Sequence, residues 1–179
     1  SSKIITADKS SIGRLSCNPA IGGLAKTHLV KEIDALGGIM GLCSDRTGIQ
    51  FKTLNKTKGR AVWSLRAQVD KKKYPLTVHS LLKKNPSINI IEGEVVSFTT
   101  KNGAINSAIL NDKTSLKCGA LVLTCGTFLS GLIHIGNRAF PAGRMGEAPA
   151  KGLTESLKQF GFKTGRLKTG TPPRLDGKS

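Results

Sequence analysis

Apolar positions along this chain switch between helical and extended spacing several times. Leu29, Val30, Ile33 and Leu36 recur at three- and four-residue intervals, which predicts an amphipathic helix from Gly23 to Leu36, and Gly37-Gly38 supplies its stop. Ile39 to Cys43 is a short apolar run with a turn after it at Ser44–Gly48, and Ile49 to Lys52 reads as a strand or extended loop. Leu65 and Val69 suggest a helix inside the basic stretch Lys56–Lys73, with Pro75 breaking or kinking it near Tyr74. Leu76 to Leu82 adds a helical turn or two before Asn85-Pro86.

The second half begins with extended patterns. Ile88–Ile91 and Val95–Thr99 read as strands, Asn102-Gly103 is a strong hairpin turn into Ile105–Leu110, and a turn at Asn111–Lys113 leads to Thr114–Cys118. Together they predict a small antiparallel meander within residues 85–118. Ala120 to Thr124 is a continuous apolar run, the pattern of a strand buried on both faces of a parallel sheet. Beyond it, Gly126, Gly131 and Gly136 mark an irregular segment, and Pro141–Gly146 is a glycine-rich basic loop containing Arg144. Leu153, Leu157 and Phe160 form one face of a helix that Gly161 ends. The order of elements predicts an α/β fold.

Charge changes the picture most. The 179 residues hold 28 Lys+Arg against 11 Asp+Glu, a net charge of +17, and such an excess favours a polyanionic partner, most economically nucleic acid. The chief basic stretch, Lys56–Lys73, carries Lys56, Lys58 and Arg66 as candidate phosphate contacts. It also holds Trp63, the sole tryptophan, which either stacks on a base or packs in the core. Arg166, Lys168 and Arg174 sit on the terminal Gly165–Arg174 segment, where Thr171-Pro172-Pro173 makes a stiff cationic loop. The four cysteines form no C-x-x-C pair and match no zinc spacing, so no metal is expected. Scattered thiols without a secretory leader point to a reducing cytosol or an organelle matrix. The run from Ala120 to Gly136 is too interrupted to span a membrane. A first residue that is not Met, and an end in a loop at Asp176–Ser179, suggest a piece of a longer protein.

The candidate chemistry lies in Ser16-Cys17-Asn18-Pro19-Ala20-Ile21-Gly22-Gly23. A cysteine ahead of a rigid turn and two glycines, with a helix beginning near Gly22, would sit beside free N–H groups that lower a thiol pKa. The same residues also suit a small buried cysteine behind a tight turn. Cys43, Cys118 and Cys125 read as core. Thr124 and Gly126 end the apolar strand, where ligands of open α/β sheets bind. His28, near the cysteine loop, and His134, after the apolar strand, lack an obvious carboxylate partner. His79 reads as surface.

The cysteine loop, His28–Gly38, Gly48–Phe51, Leu54–Lys56, Arg66–Gln68, Gly126–Leu129, Ile133–Gly136 and Gly165–Arg174 together resemble the MnmG (GidA) family of tRNA uridine-modifying enzymes. The resemblance runs in order through almost the whole chain. It implies a glutathione-reductase-like, Rossmann-type FAD-binding domain, of which residues 1–179 are a part. The family's first glycine loop, later cysteine, inserted second domain and helical C-terminal domain lie outside the chain, so the segment is expected to be inactive alone. The implied activity is attachment of a (carboxymethyl)aminomethyl group to C5 of the wobble uridine of tRNA. It is carried out in the cytoplasm by a homodimer with the GTPase MnmE, with NADH as reductant and methylenetetrahydrofolate as one-carbon donor. Cys17 matches one of the family's two conspicuous cysteines, as nucleophile or acid/base. Asn18, Pro19, Gly22 and Gly23 would face the isoalloxazine. Val95, Thr124 and Gly126 would contact FAD, and Ala150 stands where many members place a FAD-contacting serine. Thr27 replaces a frequent glycine, and Arg60 stands where Lys-Gly-Pro is usual. The alternative is a non-catalytic basic RNA-binding module with a structural cysteine.

Overall fold

The chain is described by a computed structural model covering residues 1–16, 18–170 and 175–177. It divides into two units, Ser1–Gly93 and Glu94–Ser179.

The first unit contains β1 (Ser2–Thr6), β2 (Ala20–Gly22), α1 (Thr27–Ala35), α2 (Ile39–Thr47), β3 (Gly48–Leu54), β4 (Ser64–Val69), α3 (Lys73–Lys83) and β5 (Ile88–Glu92). β4 lies between β2 and β3 in an antiparallel sheet, and β1 pairs in parallel with β5. Cys43 of α2, Val69 of β4 and Tyr74 and Val78 of α3 form the core. Ile12, Leu15 and Ile21 pack onto it, so the chain on either side of the cysteine loop is anchored by apolar burial.

Several expectations change here. Ile39–Thr47 is one helix rather than an apolar run and a turn. The hydroxyls of Ser44 and Thr47 donate to the carbonyls of Met40 and Cys43 at 2.7 Å each, so both buried polar side chains are satisfied inside the helix. Ser64–Val69 is a strand, not a helix. Pro75 falls in the first turn of α3, where its missing N–H costs no helical hydrogen bond, so it does not break the helix. Ile88–Glu92 pairs with β1 and takes no part in the meander.

Asp70 fixes the start of α3. One carboxylate oxygen accepts the backbone N–H groups of Lys73 and Lys72 at 2.9 and 2.8 Å, and these bonds hold the carboxyl below the usual aspartate range. A folded-state pKa depressed in this way gives stability that is present above the unfolded value and lost as pH falls through the folded one. Asp70→Ala should therefore lower the thermal midpoint at neutral pH, and the difference from wild type should shrink from about pH 4 downward. Equal midpoints at pH 7 would remove Asp70 as the cap.

The second unit contains β6 (Val95–Lys101), β7 (Ala104–Leu110), β8 (Ser115–Lys117), β9 (Leu132–Ile135), β10 (Arg138–Pro141) and α4 (Leu153–Gln159). β6, β7 and β8 form the expected meander. Asn102 and Gly103, with φ of 52° and 77°, make the two-residue left-handed turn that Asn-Gly predicts. Leu153 is 2% exposed, α4 packs on β6, and Phe160 stacks on Phe98 with ring centroids 4.6 Å apart. Gly161, at φ 82°, ends the helix as expected. The β9–β10 hairpin occupies part of the segment read as irregular. Ala120–Thr124 is not a strand: it pairs with no strand among the described residues, and Val122 is 81% exposed.

Candidate functional site

Cys17 lies outside the described residues, and its loop is defined by what holds its flanks. Leu15 packs on the core, the Asn18 carbonyl accepts the Ala20 N–H at 2.7 Å, and the Pro19 carbonyl accepts the Val69 N–H at 2.8 Å. The loop therefore leads into β2, not into a helix. α1 begins only at Thr27, so its dipole does not start at Gly22 as the sequence suggested. Gly22 and Gly23 explain why. Their φ angles of 82° and 107° turn the chain away from β2, and the Gly23 N–H is already engaged with the Leu65 carbonyl at 2.9 Å and the Thr27 hydroxyl at 3.0 Å.

Thr27 is the residue whose role composition did not reveal. Its Oγ1 lies 2.5 Å from the Leu65 carbonyl, 2.8 Å from Ser64 Oγ and 2.9 Å from the Gly23 carbonyl, while Ser64 Oγ donates to that same Gly23 carbonyl at 2.6 Å. This network ties the β2–α1 turn to β4. A glycine at position 27 could not make it. Ser16 Oγ, immediately before Cys17, is buried with no hydrogen-bond partner among the described residues.

Beside this turn, α1, α2 and the sheet enclose a groove of about 330 Å³. Val30, Phe51, Leu65 and Ala67 give it apolar walls, and Lys31, Lys52 and Arg66 line it with positive charge. Lys52 and Arg66 face each other across β3 and β4, an arrangement of like charges that an anion would relieve. Asp45 is the acid among the described residues lining it.

The other candidates fall into groups. Lys56 and Lys58 are exposed on a 3-10 turn in the β3–β4 connection. Trp63, in the same connection, is 45% exposed, so it is not a core residue. In the second unit, Arg144 is bound to Glu147 at 3.1 Å and its guanidinium lies over the Phe128 ring, 5.0 Å from the centroid. Arg166 donates both Nη atoms to the Ser130 carbonyl at 3.1 Å, and Lys168 is exposed. Arg174 lies outside the described residues. Ala150 accepts the Ser130 N–H and donates to the Phe128 carbonyl, and Val95 begins β6. Lys151, next to Ala150, donates its N–H to Glu94, next to Val95, at 2.8 Å, which brings these two positions together. Thr124 is exposed, and Gly126 has φ 56° with open space where a Cβ would stand.

Neither Cys43 nor Cys125 is activated. Burial raises the pKa of Cys43, only partly offset by Arg46, and burial raises that of Cys125. Cys43 is fully buried, as read, whereas Cys118 and Cys125 are half-buried. His28 and His134 are exposed and His79 is half-buried. No cluster of metal-ligating side chains occurs among the described residues. No helix among them is long and apolar enough to cross a membrane.

The model of the family "Glucose inhibited division protein A" (GIDA) matches residues 1–179. A tRNA uridine 5-carboxymethylaminomethyl modification enzyme MnmG of Chlorobium phaeobacteroides is 49% identical over 177 residues, 98% of this chain and 28% of that protein. The protein of the same name from Thermodesulfovibrio yellowstonii is 52% identical over 168 residues, 94% of this chain and 27% of its own length. Among solved structures, Aquifex aeolicus GidA matches with a TM-score of 0.88 and 45% identity, over 98% of this chain and 29% of that one. The chain thus spans a little over a quarter of the length of the curated relatives it matches.

Proposed function

The chain belongs to the glucose inhibited division protein A family along its whole length, and on that premise we propose that it is part of an FAD-dependent enzyme that modifies the wobble uridine of tRNA. The product is a (carboxymethyl)aminomethyl group on C5, formed in the cytoplasm by a homodimer with an MnmE-type GTPase. The likeness, along 94–98% of this chain, to enzymes named for tRNA uridine modification carries this reading. The net charge of +17 and the Lys52–Arg66 pair agree with a polyanionic substrate. Lys56, Lys58, Arg66, Arg144, Arg166, Lys168 and Arg174 are the proposed tRNA contacts.

The residues around Cys17 fit a flavin in two respects. Ser16 Oγ is a buried group with no hydrogen-bond partner among the described residues, and the Cβ side of Gly23 is open. Asn18, Pro19 and Gly23 would approach the ring through backbone. Gly22 belongs to the proposed set too, although the Leu65 carbonyl fills its Cβ side and the fold alone requires a glycine there. Val95, Thr124, Gly126 and Ala150 in the second unit are likewise proposed flavin contacts, Gly126 being open in the same way. When bound, the flavin supplies electron transfer, with NADH as reductant and methylenetetrahydrofolate as one-carbon donor. Cys17 acts as a thiolate adding to C6 of uracil, which makes C5 nucleophilic, or as the acid/base at that carbon.

Cys17→Ala in the complete polypeptide should lower uridine modification by roughly a hundredfold or more while tRNA binding stays near wild type. Mass spectrometry of the modified nucleoside and a binding titration read the two quantities separately. Wild-type modification by the mutant would remove Cys17 from the chemistry.

A further inference from the structure

The β3–β4 connection, residues 55–63, reads Asn-Lys-Thr-Lys-Gly-Arg-Ala-Val-Trp: three cations, no acid and the sole tryptophan. It is built as two successive 3-10 turns, Lys56–Lys58 and Arg60–Val62, which pack on each other. Three residues per turn place positions i and i+3 one above the other. That geometry sets the Arg60 guanidinium over the Trp63 indole, 5.8 Å from the ring centroid. Two left-handed residues, Asn55 at φ 59° and Gly59 at φ 90°, hold the turns in this shape. The Trp63 N–H closes the second turn on the Arg60 carbonyl at 3.1 Å.

A large indole left 45% exposed, beside Val62 at 47% and Leu65 at 53%, does not serve the core. Lys56, Lys58 and Arg60 around it are also exposed. Positive charge beside an accessible aromatic face is the composition of a nucleic-acid stacking platform. The ring takes a base and the lysines take flanking phosphates, whereas a protein partner would call for no such excess of cations. A duplex buries its base faces and offers the ring nothing, so the fit is to unpaired nucleotides.

We propose that Trp63, backed by Arg60, is a stacking site for an unpaired base of the RNA, with Lys56 and Lys58 holding the adjoining phosphates. This rests on the tRNA reading but goes beyond it, because it names the nucleotide state and the residue that reads it.

Trp63 is the chain's sole tryptophan, so its fluorescence reports this site alone. A short oligouridylate titrated into the 179-residue chain at low salt should quench that emission saturably. An abasic oligomer of equal length should bind, by anisotropy of an attached dye, with little quenching. Trp63→Ala should weaken oligouridylate binding about tenfold and leave abasic binding unchanged, while Trp63→Phe keeps most of the affinity. Circular dichroism of the variants checks that this half-exposed position leaves the fold intact. Equal affinity of wild type and Trp63→Ala for oligouridylate, with no quenching, would overturn the stacking site and leave tRNA contact through the cations standing. Failure to bind any of the oligomers or tRNA would overturn both.

Discussion

Gly22→Ala should destabilise the first unit by about 2–5 kcal/mol, summing the cost of a left-handed φ on a residue with a side chain and the cost of overpacking. The added Cβ would stand 2.5 Å from the Leu65 carbonyl oxygen. That oxygen cannot retreat cheaply, because it accepts the Gly23 N–H and lies against the Thr27 hydroxyl, and Leu65 belongs to the central strand of the sheet. Gly23→Ala is the matched control. It has φ 107° but nothing within 4 Å of its Cβ, so only the conformational cost of about 1–2 kcal/mol remains. Urea unfolding of both variants separates the two contributions. Equal losses would mean that the contact with Leu65 does not matter.

Leu153→Ala should cost the second unit roughly 2–5 kcal/mol. The side chain is 2% exposed on α4, whose packing on β6 includes the Phe98–Phe160 stack. α4 is only 7 residues long and too short to persist without that packing. Hydrogen exchange should therefore show lost protection first in α4 and β6. A loss below about 1 kcal/mol, or protection falling uniformly through β6–β8, would count against Leu153 as the anchor.

How far the sequence could be read depends on which spacings are ambiguous. Leu65 and Val69 are four apart, and four is both a helical step and two turns of the strand's two-residue period. Ala67 between them, half-buried on β4, is the position that distinguishes the two. The α2 segment hid its helix behind Gly41, Ser44 and Thr47, which as isolated residues signal turns. Only the packed helix shows the two hydroxyls bonded back to Met40 and Cys43. Gly136-Asn137 carried a hairpin signal that was submerged among neighbouring glycines. Where local chemistry dictates conformation, at Asn102-Gly103 and Gly161, sequence and structure agree.

The cysteine loop divides in the same way. That it joins a turn through two glycines was legible from residue types. That these glycines serve the Leu65–Thr27–Ser64 network was not, since Ser64 lies 41 residues from Gly23 and Leu65 38 from Thr27 in sequence. The pairing of Arg60 with Trp63 is hidden in the sequence because the spacing of Leu65 and Val69 suggests a helix there. A 3-10 reading of Arg-x-x-Trp would have placed the guanidinium on the indole.

Ala120–Thr124 carries a consequence for handling the protein in solution. An apolar segment that pairs with no strand among the described residues, with Val122 81% exposed, offers apolar surface to any other copy it meets, which favours self-association. A charge of +17 keeps copies apart at low ionic strength, but at 0.1 M salt the screening length is only about 10 Å. The salt that would weaken the proposed RNA contacts therefore also removes the protein's colloidal protection. Precipitation during high-salt purification, relieved by a charged residue at Val122, is the behaviour this segment imposes.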